Sequence, residues 1–349
     1  MTAPITIAGR AIGPDRPPYV IAEMSGNHNG DIGRALALVD AAKRAGVDAV
    51  KLQTYTADTI TLDHDGPGFI VEGGLWDGRR LYELYQEAHT PWAWHEQLFA
   101  HARAIGIACF SSPFDPTAVA FLESLDAPAF KVASFEIVDT PLVAAMARTG
   151  RPLIVSTGLA TPDDIAEAVA AARGAGASEI VLLHCTSGYP TPPSQMHLRT
   201  MMDLGAAHGA LVGLSDHTMG TAVSVAAVAL GACVIEKHFT LARADGGPDA
   251  AFSLEPDELA RLVADCRAAW EALGSVHYEE VAAEAASRDH RRSLYVVADI
   301  RAGEPLTDQN IRSIRPGHGL APKHWYEVLG RAAARDIKRG EPLAWDLVK

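Results

Sequence analysis

The stretch "PLIVSTGLATPDDIAEAVAAARGAG", residues 152–176, shows the unit from which most of this chain is built. An apolar, β-branched run over 152–157 is followed by a helical pattern over 161–176. The helical pattern starts with a threonine N-cap, a proline at the first helical position and two acids in the first turn, and it ends with glycines. A strand followed by such a helix predicts one βα unit of a parallel sheet.

The same alternation of strand and helix recurs along the chain. We predict eight strands, at 19–24, 49–54, 107–112, 129–134, 152–157, 179–186, 211–217 and 234–239. Helical patterns fill the gaps, including those at 31–46 and 255–274. Eight units over about 255 residues favour an α/β fold that closes into a (β/α)8 TIM barrel. A doubly wound open sheet is the competing fold, but no G-x-G-x-x-G motif follows the first predicted strand.

The pattern changes after the last barrel helix. Residues 294–349 contain brief β-like runs and turns, and the phrase I-x-x-G-E-P-L occurs in them at 300–306 and again at 337–343. We therefore predict a TIM-barrel catalytic domain over 1–280, a polar linker over 281–293 and a small β-rich domain over 294–349. Such a small domain cannot build a large core, so we expect it to lean on the barrel or on another subunit.

The composition excludes several classes of partner. The net charge is −13 and there is no basic run, which argues against nucleic acid or an anionic membrane as a partner. The four cysteines are scattered without a C-x-x-C pair, which favours reduced thiols in a cytoplasmic protein. We expect no signal peptide and no membrane span, because the chain has neither the basic-then-apolar start nor a run of eighteen apolar residues.

Polar or ionisable residues lie at the ends of all eight predicted strands. In a TIM barrel, side chains at the carboxyl ends of the strands converge on one mouth, where active sites are found. The candidates at this mouth are Glu23, Lys51, Gln53, Ser111, Ser112, Lys131, Ser134, Glu136, Ser156, Thr157, His184, Thr186, Ser187, Ser215, His217, Glu236 and His238.

The residue types at the mouth indicate two kinds of site. Lys51 and Lys131, together with several hydroxyls, favour binding of a phosphate or a carboxylate. His217 and His238 end two successive strands, and with a nearby carboxylate they predict a site for manganese, zinc or a related divalent ion. Such a metal would polarise a carbonyl oxygen or lower the pKa of bound water. Glu23 is the candidate general base or the partner of a metal-bound water.

Three further segments are candidates for the substrate site. Residues 73–106, after the second strand, hold three of the six tryptophans, and an aromatic loop there is expected to shape a pocket. The segment 243–256, "RADGGPDAAFSLEP", carries Asp249 after the last strand. The segment 312–322, "RSIRPGHGLAP", places Arg315 beside a proline–glycine turn, from which an arginine can project, although a solvated surface arginine is an equal alternative.

Nine motifs in order resemble the sialic acid synthase family. They are "YVIAEMSGNHNGDIGRAL", "KLQTYTAD", "FSSPFD", "KVASFEI", "LLHCTSGYPTP", "GLSDHT", "EKHFT", "GGPDAAFSLEP" and "IRSIRPGHGLAP". Members of this family condense phosphoenolpyruvate with an amino sugar to make nine-carbon 2-keto acids. Within it, "LWDGRRLYELYQEAHTPWAWH" and "GPDAAFSLEPDEL" look most like the pseudaminic acid synthase branch. The resemblance implies a TIM barrel followed by an antifreeze-like (SAF) domain, which in a domain-swapped homodimer covers the partner's barrel mouth.

The resemblance also implies roles for individual residues. Metal ligation falls to His217 and His238, with Mn²⁺ as the expected ion and Mg²⁺ or Co²⁺ as alternatives, and Glu23 becomes the catalytic carboxylate. The residues implied to bind phosphoenolpyruvate are Lys51, Ser112, Lys131, Ser134, Ser156, Ser187 and Ser215. The residues implied to contact the sugar are Gln53, Tyr189, Asp249 and, from the partner subunit, Arg315. Ser187 stands where the neuraminate synthases usually have an asparagine, and Ser112 where they have a threonine, so the exact contacts there are open.

The resemblance predicts a transferase that acts on phosphoenolpyruvate and 2,4-diacetamido-2,4,6-trideoxy-L-altrose. The nearest alternative is the same chemistry on another amino sugar, giving N-acetylneuraminate or legionaminate. A Schiff-base aldolase that uses Lys131 or Lys51 is a second alternative. A non-enzymatic ice-binding or carbohydrate-binding module at the C-terminus is a third. For Trp92 and Trp94, contact with the sugar and simple packing of a helix onto the barrel remain equally open.

Overall fold

Eight parallel strands close into a barrel in the computed structural model, which describes residues 4–349. Each strand pairs with the next along the chain, and the last pairs with the first in a register that places His238 opposite Glu23. The predicted TIM barrel is therefore confirmed. Its strands are β3 (Tyr19–Glu23), β4 (Ala49–Thr54), β5 (Ala108–Pro113), β6 (Phe130–Val132), β7 (Leu153–Ser156), β8 (Ile180–Cys185), β9 (Leu211–Asp216) and β10 (Val234–His238).

Side chains along the barrel strands alternate between two apolar cores. One core fills the barrel and includes Ile21, Phe110 and Leu183. The other lies between the strands and the surrounding helices and includes Leu52 and Leu214. This alternation follows from the pleat, in which successive side chains of a strand point to opposite faces. A strand-end residue therefore enters the barrel when it lies an even number of positions from an interior residue of the same strand.

An N-terminal hairpin closes the end of the barrel that lies opposite the mouth. Its strands, β1 (Ile5–Ile7) and β2 (Arg10–Ile12), pair in antiparallel fashion. Ile5, Ile7 and Ile12 are buried and pack with the apolar residues of the barrel interior. The interior is therefore sealed by apolar residues at this end and becomes polar only at the carboxyl ends of the strands.

Helices follow the barrel strands and begin at recognisable caps. Thr161 and Asp164 form a capping box before the helix Pro162–Gly174, and Asp31 caps the helix Ile32–Ala45, because each side chain satisfies backbone N–H groups that the first turn leaves free. The helices are α1 (Ile32–Ala45), α2 (Ala57–Ile60), α3 (Leu81–Ala88), α4 (Trp92–Ile105), α5 (Pro116–Ser124), α6 (Thr140–Arg148), α7 (Pro162–Gly174), α8 (Arg199–His208), α9 (Ala222–Ala229), α10 (Pro256–Leu273) and α11 (Trp325–Val328). None of these helices in the described residues is long and apolar enough to span a bilayer. All four cysteines are free and buried.

Residues 275–349 form a second compact unit. Its strands β11 (Ser293–Val296) and β12 (Ile311–Ile314) are antiparallel, and it has an apolar core of its own that includes Leu294 and Leu306. The two I-x-x-G-E-P-L phrases meet, because Ile300 and Ile337 exchange backbone hydrogen bonds of 2.9 and 2.8 Å. The first unit ends at Gly274, and a 3-10 helix spans Ala282–His290 within the predicted linker. The predicted boundaries at 280 and 293 stay predictions.

Candidate active site

The barrel mouth gathers polar side chains from most of its strands. Lys51, Ser112, Lys131, Ser156 and Glu236 each lie two residues beyond an apolar residue of the barrel interior, and Ser215 lies four residues beyond Leu211, so the pleat aims them into the barrel. The predicted residues that are buried at this end are Glu23, Lys51, Ser112, Lys131, Ser134, Ser156, Ser215, His217 and His238.

Lys51 lies between two carboxylates. Its Nζ is 2.7 Å from Glu23 Oε2 and 3.0 Å from Glu236 Oε1, and it donates a 3.4 Å hydrogen bond to Ser112 Oγ. Burial opposes its charge, but the two carboxylates raise the pKa of Lys51 above its usual value. This ammonium therefore remains a fixed positive charge at the base of the mouth.

Lys131 is a second ammonium on the other side of Glu236. Its Nζ donates to Ser156 Oγ at 2.7 Å and to the Val132 carbonyl at 3.0 Å, and it lies 3.9 Å from Glu236 Oε1. Burial lowers the pKa of Lys131 to about 8, with Glu236 opposing the shift. Two lysines separated by one carboxylate form an anion site whose charge is already partly balanced.

Glu23 is held in a position suited to proton transfer. Its Oε1 accepts hydrogen bonds from the Ser25 backbone N–H at 2.9 Å and from Gln53 Nε2 at 3.3 Å. Burial raises the pKa of Glu23 to about 7, although the Lys51 ammonium opposes the rise. A carboxyl group with a pKa near neutrality can both accept and donate a proton at physiological pH.

Glu236 is a site residue to which the sequence analysis gave no role. Burial opposes its ionisation, but Lys131 and Lys51 lower the pKa of its carboxyl. Ser215 Oγ donates to its Oε1 at 3.5 Å, and its Oε2 is buried with no hydrogen-bond partner among residues 4–349. The signal was present in the sequence: Glu236 is two residues before His238, so both side chains enter the barrel.

His217 and His238 face each other at the mouth, with ring centroids 5.3 Å apart. His217 Nδ1 donates to the Thr186 carbonyl at 3.0 Å, which leaves the lone pair of Nε2 available. Burial opposes protonation of His217, but Cys185, the Thr186 carbonyl and Glu236 raise its pKa, so its surroundings favour positive charge. Burial and nearby cations lower the pKa of His238, whose Nδ1 has no hydrogen-bond partner in the described part of the chain.

These two rings fit a divalent cation as a pair of imidazole ligands. In its neutral form each ring offers one nitrogen lone pair, and His217 is oriented by a backbone carbonyl, which is the usual outer support of a metal-binding histidine. Residues 4–349 contain no cluster of three or more histidine, cysteine, aspartate or glutamate side chains arranged as a metal site. The remaining positions on a cation would therefore belong to water or to substrate oxygens.

Aromatic rings surround the two histidines on the outer side of the mouth. Tyr189 lies 4.4 Å from His217, and Phe252 lies 4.9 Å from His238, measured between ring centroids. Trp76 contacts this group at 5.6 Å from Tyr189. Tyr189 was predicted from the sequence as a site residue, whereas Phe252 and Trp76 were not. The sequence indicates these two residues only by the presence of aromatic side chains in the loops that follow the second and eighth barrel strands.

Trp92 and Trp94 do not join the site. Trp92 stacks on Phe121 at 4.9 Å and donates to the Tyr55 carbonyl, while Trp94 packs edge-on against His28. The packing alternative for these two tryptophans is therefore confirmed.

Three loop residues of the predicted set lie at the edge of the mouth. Asp249 is buried, and one of its carboxylate oxygens accepts a hydrogen bond from Ser25 Oγ. Burial raises the pKa of Asp249, with Ser25 and the Gly26 N–H opposing. Ser134 and Ser187 converge from two loops, since a Cβ placed on Gly158 would clash with both hydroxyls. The absence of a side chain at position 158 therefore lets both hydroxyls approach the backbone there.

Two strand-end candidates are corrected by the structure. Ser111 points outward, where its Oγ lies 2.6 Å from Thr54 Oγ1, and Thr54 Oγ1 lies 2.8 Å from His95 Nε2. His184 also points outward and bonds the Met196 carbonyl through Nε2. Both lie an odd number of positions from an interior residue, so the pleat sends them to the helix layer. Cys185 takes the inward position on β8, with Sγ 3.9 Å from His217 Nδ1.

Arg315 belongs to the second compact unit. It follows β12 directly, and its side chain is exposed. Its role in the sugar site stays a prediction.

A cavity of about 790 Å³ lies at the opposite end of the barrel, under the N-terminal hairpin. The charged groups that line it are engaged with partners, as in the ion pairs of Arg10 with Asp48 and of Arg151 with Asp126. It contains none of the histidines or lysines described above. The chemistry of the side chains therefore assigns the candidate active site to the mouth and not to this cavity.

Comparisons with known proteins all indicate the same family for this chain. The NeuB family model matches residues 38–278, and the SAF domain model matches residues 291–349. The chain is 44% identical over 329 residues to the pseudaminic acid synthase of Campylobacter jejuni, covering 94% of this chain and 96% of that protein. It is 42% identical over 335 residues to the pseudaminic acid synthase of Helicobacter pylori, covering 95% of this chain and 98% of that protein.

A solved structure supports the same fold. The N-acetylneuraminic acid (sialic acid) synthetase of Leptospira borgpetersenii serovar Hardjo-bovis superposes with a TM-score of 0.73 at 30% identity. The match covers 82% of this chain and 95% of that one. The resemblance stated from the motifs, and the predicted TIM barrel with a C-terminal SAF domain, are thereby confirmed.

Proposed function

Because the chain belongs to the NeuB family, we propose that it condenses phosphoenolpyruvate with 2,4-diacetamido-2,4,6-trideoxy-L-altrose to give pseudaminic acid and phosphate. The observation that carries the chemistry is the convergence of Lys51, Lys131, Glu23 and the two histidines, His217 and His238, on one barrel mouth. The choice of sugar is supported by identities of 42–44% to pseudaminic acid synthases over nearly the whole chain.

Phosphoenolpyruvate binds, in this proposal, at the two lysines and the hydroxyls around them. Lys51 and Lys131 provide positive charge on either side of Glu236. The hydroxyls proposed to donate to its phosphate and carboxylate are those of Ser112, Ser134, Ser156, Ser187 and Ser215. A compact ammonium suits a phosphate as a point charge, and hydroxyls can reorient to donate.

We propose that His217 and His238 hold a divalent cation, with Mn²⁺ as the expected ion. When bound, such an ion supplies Lewis-acid chemistry, polarising a carbonyl oxygen or lowering the pKa of a water. The chain's own contribution is to present two imidazole nitrogens from adjacent strand ends, one of them oriented by the Thr186 carbonyl.

The reaction joins two carbons and breaks a carbon–oxygen bond. Carbon 3 of phosphoenolpyruvate attacks the aldehyde carbon of the open-chain sugar, and positive charge develops at carbon 2. Water adds to carbon 2, the bond from carbon 2 to the phosphate oxygen breaks, and the added oxygen stays as the keto group. The two protons of the water balance the alkoxide formed from the aldehyde and the departing phosphate. Glu23 takes the proton released by the water, a role for which its pKa of about 7 is suited. Gln53 fixes the orientation of the Glu23 carboxylate through the 3.3 Å hydrogen bond.

Turnover measurements test the proposal. Phosphate release from phosphoenolpyruvate would be measured with the diacetamido-trideoxy-altrose and with N-acetylmannosamine, before and after EDTA treatment. We expect release with the altrose only, loss of release in EDTA, and recovery on adding Mn²⁺. Phosphate release with N-acetylmannosamine instead would support the proposed reaction but refute the proposed sugar substrate. Full activity in EDTA would refute the metal, and covalent trapping by borohydride would then favour the Schiff-base alternative.

We also propose a domain-swapped homodimer in which the second subunit supplies Arg315 to the sugar site. The support is its exposed side chain, which forms no ion pair among residues 4–349. Mixing inactive Glu23→Gln and Arg315→Ala subunits tests it, because each mixed dimer would hold one intact site. We expect about a quarter of wild-type activity to return. No recovery from a mixture shown to exchange subunits would refute the exchange.

A further inference from the structure

Trp76 reaches the active site from a structured loop. The segment 69–81 folds back on itself: the Val71 N–H bonds the Arg79 carbonyl at 2.8 Å, and the Gly78 N–H bonds the Val71 carbonyl at 2.8 Å. Gly73 and Gly78 have φ values of +79° and +77°, which glycine adopts at low cost, so the tip can turn tightly. Trp76 lies at this tip and is half-buried.

The indole is anchored with its polar atom turned away from solvent. Nε1–H donates to the Pro248 carbonyl at 2.9 Å, which ties this loop to the one that carries Asp249. The ring lies 5.6 Å from Tyr189 and 6.4 Å from Phe252. Because the only donor of the indole is already engaged, the remaining ring surface offers no conventional hydrogen-bond partner to a ligand.

The mouth is therefore polar at one end and aromatic at the other. Lysines and carboxylates lie inside the barrel, the histidines follow, and Tyr189 and Phe252 pack on the histidines. Trp76 is one ring further out. A six-carbon chain spans roughly 6 Å when extended, because each carbon–carbon bond is about 1.5 Å long. A sugar with its aldehyde at the histidines, running outward past Tyr189 and Phe252, would bring its far end to the side of the mouth where Trp76 lies.

We infer that Trp76 is a specificity-determining residue whose indole face receives the 6-methyl end of the amino sugar. The inference rests on the proposed function, and it takes the sugar aldehyde to be the carbonyl group that is polarised at His217 and His238. A methyl group gains by burial against the ring. A hydroxyl at the same carbon loses water and gains no hydrogen bond from the indole, because the indole N–H is held by Pro248. Apolar pockets reject an added hydroxyl by roughly 100-fold at most, so we expect a preference of roughly 10- to 100-fold.

The experiment compares two sugars that differ by one oxygen atom. The substrates are 2,4-diacetamido-2,4,6-trideoxy-L-altrose and its 6-hydroxy counterpart, with phosphate release measured at saturating phosphoenolpyruvate. Wild-type protein should favour the 6-deoxy sugar in kcat/KM, and Trp76→Ala should lose most of that preference while the KM for phosphoenolpyruvate stays unchanged. Leu75→Ala, a change at the exposed neighbouring residue, is the matched control and should keep the wild-type preference.

Two more variants make the result decisive. Trp76→Phe keeps an apolar ring and should keep most of the preference, whereas Trp76→Gln places a hydrogen-bonding amide on the wall and should favour the 6-hydroxy sugar relative to Trp76→Ala. Equal preference in wild type, Trp76→Ala and Trp76→Gln would overturn the inference while leaving the proposed function intact. If wild-type protein releases phosphate with neither sugar, the proposed function fails and the inference fails with it.

Discussion

Replacing Lys237 should destabilise the barrel without touching the substrate site. Lys237 lies on the outer face of β10, where its Nζ is 2.8 Å from Asp216 Oδ2 and donates to the Thr218 carbonyl at 2.6 Å. Asp216 also accepts from the Thr218 N–H at 2.8 Å and from Ser224 Oγ at 2.6 Å. The two side chains are 1% and 0% exposed, so the pair is fully removed from water.

The structure sets the size of the effect. Lys237→Met keeps most of the side-chain volume, so it leaves no large cavity, but the buried Asp216 carboxylate loses its cationic partner. Breaking a buried ion pair by removing one partner costs about 3–5 kcal/mol. Asp216 keeps its two other donors, which places the expected loss in the free energy of unfolding near the lower end, at about 3 kcal/mol.

Urea unfolding followed by tryptophan fluorescence measures this loss. The matched control is Lys338→Met, which breaks a 2.9 Å pair with Asp299 whose side chains are 74% and 60% exposed, and we expect no measurable change from it. The double variant Asp216→Asn with Lys237→Met should recover part of the loss, because no carboxylate is then left unpaired. A change below about 1 kcal/mol for Lys237→Met would show that the pair is dispensable.

Three further changes should act on catalysis. Glu23→Gln should lower kcat by roughly 10²- to 10⁴-fold, because it removes an acid–base group, and near-normal phosphate release would exclude Glu23 from the mechanism. Raising the pH through about 8 should lower kcat/KM for phosphoenolpyruvate, since Lys131 has a pKa of about 8 and loses its positive charge above that pH. Lys131→Met should lack this decline, and a flat wild-type profile from pH 7 to 9 would contradict the assignment. Gly158→Ala should raise the KM for phosphoenolpyruvate by roughly tenfold or more, because the new Cβ clashes with Ser134 and Ser187, and an unchanged KM would place those hydroxyls outside the site.

Local sequence patterns were sufficient to predict the barrel. Each predicted strand appears within about two residues of its expected bounds, because apolar β-branched runs and helix caps are local signals. The largest deviation is at β6, predicted over 129–134 and observed over Phe130–Val132. There the chain turns early into the 3-10 helix Ser134–Glu136, which brings Ser134 toward the mouth.

The residues that face the barrel interior could be predicted from the sequence, and the two-residue period of a strand would have narrowed the list of candidates. Counting by two from an interior residue selects Ser112 over Ser111 and Cys185 over His184, as the structure shows. The same count finds Glu236 from His238. Loop residues are different, because no local periodicity fixes where a loop tip lies. Trp76 reaches the mouth through contacts with Pro248, Tyr189 and Phe252, all of which are distant in sequence.

The end of β10 shows how stability and chemistry are separated within one short strand. Glu236 and His238 enter the barrel, where they face lysines and the second histidine, while Lys237 between them is bound outside to Asp216 of β9. The outer ion pair needs no substrate, so it holds the ends of the two strands that carry His217 and His238 in register in the free protein. Substitutions on the outer face of the strand should therefore mainly lower the free energy of unfolding, and substitutions on its inner face should mainly lower turnover. If Lys237→Met abolished turnover while leaving the unfolding curve unchanged, this division of the strand into two faces would be wrong.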